Sequence, residues 1–91
     1  MNTYLISYDL IKPETSPEYA RLFQLLRSFP QWAKVLRSVW LIKTDQSSGE
    51  VMDMLRGATD SNDKILVIEV TNNWWTYNVL KEVSDWMKGN L

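Results

Sequence analysis

Three apolar runs rich in β-branched and aromatic residues, "YLISYDL", "KVLRSVWLIKT" and "KILVIEV", alternate along the chain with three segments whose apolar residues recur at helical spacing. A strand pattern repeats every second residue and a helix pattern every third or fourth, so this order restricts the chain to mixed folds built on one sheet. The first run, residues 3 to 10, is stopped by Lys12-Pro13 and reads as a strand central to the sheet, with Tyr4, Ile6 and Tyr8 on one side and Thr3, Leu5, Ser7 and Asp9 on the other. In "SPEYARLFQLLRSFP", Ser16 caps, Pro17 suits the first helical position, and Tyr19, Leu22, Phe23, Leu26 and Phe29 form the apolar stripe before Pro30 ends it. Residues 34 to 44 read as one long strand or as two segments broken near Arg37 and Ser38. A second helix follows from Ser47 or Ser48, with Val51, Met54, Leu55 and Ala58 as its stripe and Gly57 near its end. "TDSND" is turn chemistry, "KILVIEV" is apolar enough for a central buried strand, and Val79, Leu80, Val83, Trp86 and Met87 mark a final helix.

At 91 residues the chain has room for one hydrophobic core, and 45% hydrophobic residues supply it. The expected fold is a single α+β domain spanning 1–91, a ferredoxin-like sheet with two helices on one face and an additional C-terminal helix. Val39 and Leu41 are expected to face the helices, leaving Trp40 and Ile42 on the open face with Leu5, Ser7 and Asp9. Such a face is too apolar for water and calls for a homodimer or for cover by the last helix.

The chain contains no His and no Cys. Nucleophilic triads, disulfides and imidazole or thiolate metal sites are therefore excluded within it, and chemistry falls to carboxylates, hydroxyls and amines. Lys and Arg number 10 against 11 Asp and Glu, so no global basic field drives binding to nucleic acid. No apolar run approaches the roughly 20 residues needed to cross a bilayer, the start "MNTYLISYDL" lacks a basic leader, and a cytoplasmic protein without membrane contact is expected.

"YLISYDL" at the first strand, "RSVWLIKT" at the second, "SNDKILVIEV" leading into the third, and "WW" followed by "DWMKGNL" near the end resemble the small ferredoxin-fold proteins related to the CRISPR adaptation protein Cas-two, especially the SinR-like, VapD-related branch. In that group a Tyr-Asp pair ends the first strand and a Ser-Val-aromatic triplet follows the first helix; here these are Tyr8-Asp9 and Ser38-Val39-Trp40. The resemblance implies a homodimer in which Asp9 and its symmetry mate hold Mg²⁺ for phosphodiester cleavage of RNA or DNA, with Ser38 as an orienting hydroxyl. It also implies a structural alternative, because many members of the group serve as structural dimers for an integrase and do not need the carboxylate; nucleic acid or a CRISPR or defence protein is then the expected partner. Family members place a basic cluster at the start of the first helix, whereas "KPETSPEYAR" offers Lys12 and Arg21 alone. Lys12, Arg21 and Arg37 are the expected phosphate contacts, with Arg27 and Lys34 also scattered nearby.

Several acidic and aromatic groups have simpler readings. Asp60, Asn62 and Asp63 lack calcium-loop spacing and read as a turn, "NNWWTYN" as packing for the last helix or an interface, and Glu69 as a lone strand acid with Lys43 as its candidate partner. A noncatalytic interaction module and a small-nucleotide binder at the dimer cleft are the rival functions.

Overall fold

The computed structural model describes residues 1–91 as an α+β protein. Strand β1 (Asn2–Asp9) is followed by a 3-10 turn (Pro17–Tyr19) running into α1 (Ala20–Ser28), then β2 (Gln31–Leu36), β3 (Val39–Thr44), α2 (Ser48–Arg56), β4 (Lys64–Glu69) and α3 (Lys81–Asn90). Of the two readings of residues 34 to 44, the structure takes the one broken near Arg37 and Ser38, as a hairpin. Arg37 and Ser38 turn the chain between β2 and β3, and an irregularity in register between Lys34 and Leu36 bends β2.

The four strands lie in the order β2-β3-β1-β4, with every neighbouring pair antiparallel. β1 and β2 therefore run parallel with β3 between them, and β3 and β4 run parallel with β1 between them. Each of α1 and α2 bridges one such pair, and both pack on the same side of the sheet. Their residues Leu22, Leu26, Val51 and Leu55 are buried with Tyr4, Ile6 and Tyr8 of β1 and with Trp40 and Ile42 of β3. Burying a side chain of this size contributes about 1.5–3 kcal/mol, so this layer is the main source of stability.

Trp40 and Ile42 correct the expected pattern. They are 2% and 0% exposed in the helical core, opposite Ile6 and Tyr4, and so take no part in an open face or an interface. Val39 and Leu41 lie on the other side, opposite Ser7 and Leu5. The reason is that β3 is covered on both faces along Trp40, Leu41 and Ile42, which removes the polar alternation that normally tells the faces apart. β4 is corrected as well: it is an edge strand, and Leu66 and Ile68 are 54% and 50% exposed.

The second face is covered in part by α3. Val83 and Met87 pack on Leu41, with Leu5, Val35, Val70, Trp74 and Trp86 around them, and the Thr3 hydroxyl donates to the Asn90 carbonyl at 3.4 Å. α3 begins at Lys81, later than its apolar stripe suggested, so Val79 and Leu80 belong to the preceding segment and Leu80 is exposed. Trp74 packs beneath that helix, whereas Trp75 and Tyr77 point into solvent. α2 starts with a capping box in which Ser47 Oγ accepts from the Glu50 N–H and Glu50 Oε1 from the Ser47 N–H. α3 has no side-chain cap. No helix is long and apolar enough to cross a membrane.

Candidate functional site

Alternation along β1 sends Tyr8 into the helical core and Asp9 to the opposite face, where Asp9 sits across from Lys64. The Tyr8 N–H donates to the Ser38 carbonyl at 3.2 Å, which fastens the β2–β3 turn against the end of β1. Asp9 and Ser38, far apart in sequence, thereby line one shallow depression of about 170 Å³ with Tyr8, Leu10, Lys12 and Glu14. On its other flank Asp9 borders a second depression of about 230 Å³, formed with Ser7, Lys64 and Leu66.

The loop after Asp9 is held by another carboxylate. Asp63 Oδ1 accepts from the Ile11 N–H at 2.8 Å and from the Tyr19 hydroxyl at 2.9 Å, while Oδ2 accepts from the Asp60 N–H at 2.7 Å. The Lys12 N–H donates to the Tyr19 oxygen at 3.2 Å and so extends this network. Burial alone would raise the Asp63 carboxyl, but the donated hydrogen bonds and the Lys12 charge outweigh it and hold the group below its ordinary value. The "TDSND" turn is thus an anchor for the segment that carries Asp9, with the Asn62 N–H bonded to Asp60 Oδ1 at 3.0 Å.

Beneath the depression Tyr8 acts as a hub. Its hydroxyl donates to Glu14 Oε1 at 2.7 Å and accepts from Trp40 Nε1 at 3.0 Å; the Arg37 carbonyl lies farther away at 3.2 Å. Lys34 Nζ also donates to Glu14, at 2.8 Å. Burial and the Glu14 bond push the Tyr8 hydroxyl far up. Burial also favours the neutral Glu14, but Lys34 and Tyr8 overcome this and hold its carboxyl below the usual range. Tyr8 is therefore a neutral donor at any physiological pH, and Glu14 a committed anion. Sequence reasoning missed Glu14 because "KPETSP" reads as loop, and only the fold brings it to Tyr8 and Lys34.

The expected basic residues do not converge. Lys12 forms an ion pair with Glu18, and Arg21 and Arg37 are exposed outside the lining of the Asp9 depression. Leu5 and Ser7 lie half-buried on the α3 face, opposite Leu41 and Val39 and across the sheet from Trp40 and Ile42, with which they were expected to share a face. Glu69 sits opposite Tyr4, whereas Lys43 lies opposite Thr3 on the other face, so the two do not pair.

With Glu14 bound by Tyr8 and Lys34, the depression offers one unengaged carboxylate, Asp9, and the Ser38 hydroxyl. No group of three or more acidic side chains in the chain could hold a metal ion. A hard cation needs several oxygen ligands and accepts waters among them, so Asp9 and Ser38 alone do not complete a Mg²⁺ site. A depression of about 730 Å³ lies between the end of α2 and the 59–63 turn, and its Asp63 is occupied by the anchoring bonds. Beside α3 an apolar groove of about 620 Å³ is lined by Leu5, Leu36, Val39, Leu41, Trp74 and Trp75 among others. No model of a known protein family matches the chain.

Proposed function

We propose that the protein is a Cas-two-like homodimer of the SinR-like, VapD-related kind, which pairs through the open face of a ferredoxin-like sheet and brings two Asp9 carboxylates together for metal-dependent cleavage of RNA or DNA. The observation that carries this reading is the position of Asp9, exposed at the end of a central strand and sharing a depression with Ser38. The strand order, with two helices crossing on one side, supports the ferredoxin-like assignment. In the dimer each subunit would supply one carboxylate and Ser38 would orient a water or phosphate oxygen beside it. A bound divalent cation would supply Lewis acidity and a water of lowered pKa. In the absence of His, the protein's own part is to hold that cation and position the phosphodiester.

Purified protein incubated with labelled RNA or DNA and titrated with Mg²⁺ tests the catalytic reading. Cleavage should depend on metal and disappear in Asp9→Ala. No cleavage, or cleavage unchanged by that substitution, refutes it.

A second reading, a noncatalytic interaction module of a mobile element or defence system, is favoured by the exposed apolar groups Leu36, Leu66 and Ile68 and by the uncommitted Trp75 and Tyr77. It expects assembly to survive Asp9→Ala and to fail when Trp75 is replaced.

A further inference from the structure

Outside the Asp9 depression, a cleft of about 370 Å³ opens between α1 and β2, lined by Glu14, Thr15, Phe23, Arg27, Trp32, Lys34 and Trp40. Its floor is aromatic. Trp32 pairs with Ile42 in the sheet register and so belongs to the helical side, but α1 ends at Ser28 and leaves the indole 38% exposed at the sheet edge. The ring is held by its neighbours: its centroid lies 5.4 Å from that of Trp40, which stacks on Phe23 at 6.1 Å with 20° between planes. An indole on a rigid backing, with one side open, is a stacking platform.

The walls are cationic. Lys34 Nζ sits 5.7 Å from the Phe23 centroid and 5.8 Å from that of Trp40, fixed there by its bond to Glu14. Glu14 takes up much of the Lys34 charge. Arg27, in the last turn of α1, is exposed and makes no ion pair or side-chain hydrogen bond, so its guanidinium is the free charge of the cleft. The volume falls near the lower end of the roughly 300–1,000 Å³ of small-molecule sites, which suits one ring system with a short substituent and excludes a duplex.

We propose that this cleft binds one nucleotide unit, its base stacked on Trp32 and its phosphate held by Arg27. Planar guanidinium is suited to phosphate, and an indole face accepts any base, so the site selects for a phosphorylated nucleoside without reading base identity. The unit can be a free mononucleotide or one residue of a single strand. Neither case uses Asp9 or a metal, so the site stands or falls apart from cleavage.

Isothermal titration of the whole protein with AMP, adenosine and a short single-stranded oligoadenylate tests this. AMP should bind saturably and adenosine about tenfold more weakly, the loss expected when a charged hydrogen bond is removed. Arg27→Ala should bring AMP to the adenosine level, and Trp32→Leu, which keeps an apolar group over Trp40, should weaken both ligands. Affinity rising steeply from AMP to oligoadenylate assigns the site to single strands; equal affinities assign it to free nucleotide. No saturable binding of either up to roughly 10 mM, affinity unaltered in Arg27→Ala and Trp32→Leu, or binding lost in Asp9→Ala overturns the assignment. Circular dichroism of the folded variants separates loss of binding from loss of fold, and Arg27→Ala, at an exposed position, remains a valid test if Trp32→Leu unfolds.

Discussion

Replacing Asp63 by Ala removes the acceptor for two backbone N–H groups, those of Ile11 and Asp60, and for the Tyr19 hydroxyl. Hydrogen bonds to a charged group are worth about 1.5–3 kcal/mol each when buried. Asp63 is half-buried, and water can replace part of each bond, so about 1 kcal/mol per bond and about 3 kcal/mol in all is the expected loss. A chain of this length has roughly 5–14 kcal/mol of total stability. Its melting temperature should fall by on the order of 15 °C. Asp63→Asn, which keeps one acceptor oxygen, should lose about half as much. Because the native Asp63 carboxyl is held below its ordinary value, its ionic contribution is full above the unfolded-state pKa and is lost as pH falls through the folded one. The gap between wild type and Asp63→Ala should therefore be wide at neutral pH and narrow in acid. Urea unfolding followed by tryptophan fluorescence at several pH values measures it. A neutral-pH loss below about 1 kcal/mol, or a gap that persists undiminished in acid, refutes the anchoring role.

Tyr8→Phe leaves the buried Trp40 Nε1–H without its acceptor and should cost about 2 kcal/mol in urea unfolding; a loss under about 0.5 kcal/mol would show the hub to be dispensable. Ser47→Ala removes the α2 cap and should cost about 1 kcal/mol by the same measurement, without effect on assembly. Leu66→Asp combined with Ile68→Asp places charge on the open face at positions already exposed, so light scattering should report the proposed dimer for the wild type and a monomer with unchanged helix content for the variant; a variant that stays dimeric refutes pairing through this face.

The element order was readable because strand and helix periods differ and because the punctuation is strong. Pro17 opens the 3-10 turn that runs into α1, although the Ser16 side chain makes no cap bond there, Ser47 caps α2, and the Asp60–Asp63 turn precedes β4. The orientation of β3 was not readable, since "VWLI" is apolar on both faces and only its pairing with β1 puts Trp40 beside Ile6. The edge position of β4 was hidden for a related reason: "KILVIE" has a core-like composition, and exposure depends on the absence of a strand beyond it. At the site, the strand-end place of Asp9 followed from alternation. Glu14 and Asp63 did not, because their partners Lys34, Ile11 and Tyr19 are assembled only by the folded chain.

The contrast between α2 and α3 has a consequence for the order in which the molecule opens. α2 is capped and seated in the larger core, whereas α3 has no side-chain cap and is held by Val83 and Met87 on Leu41 and by one long bond from Thr3. A ten-residue helix without tertiary support is marginal in water, so α3 is the unit that detaches first. Its amides should exchange with solvent ahead of those in β1 and α2. Each such excursion uncovers Leu41 and Leu5, and a second molecule approaching this face competes with the protein's own terminal helix for the same surface.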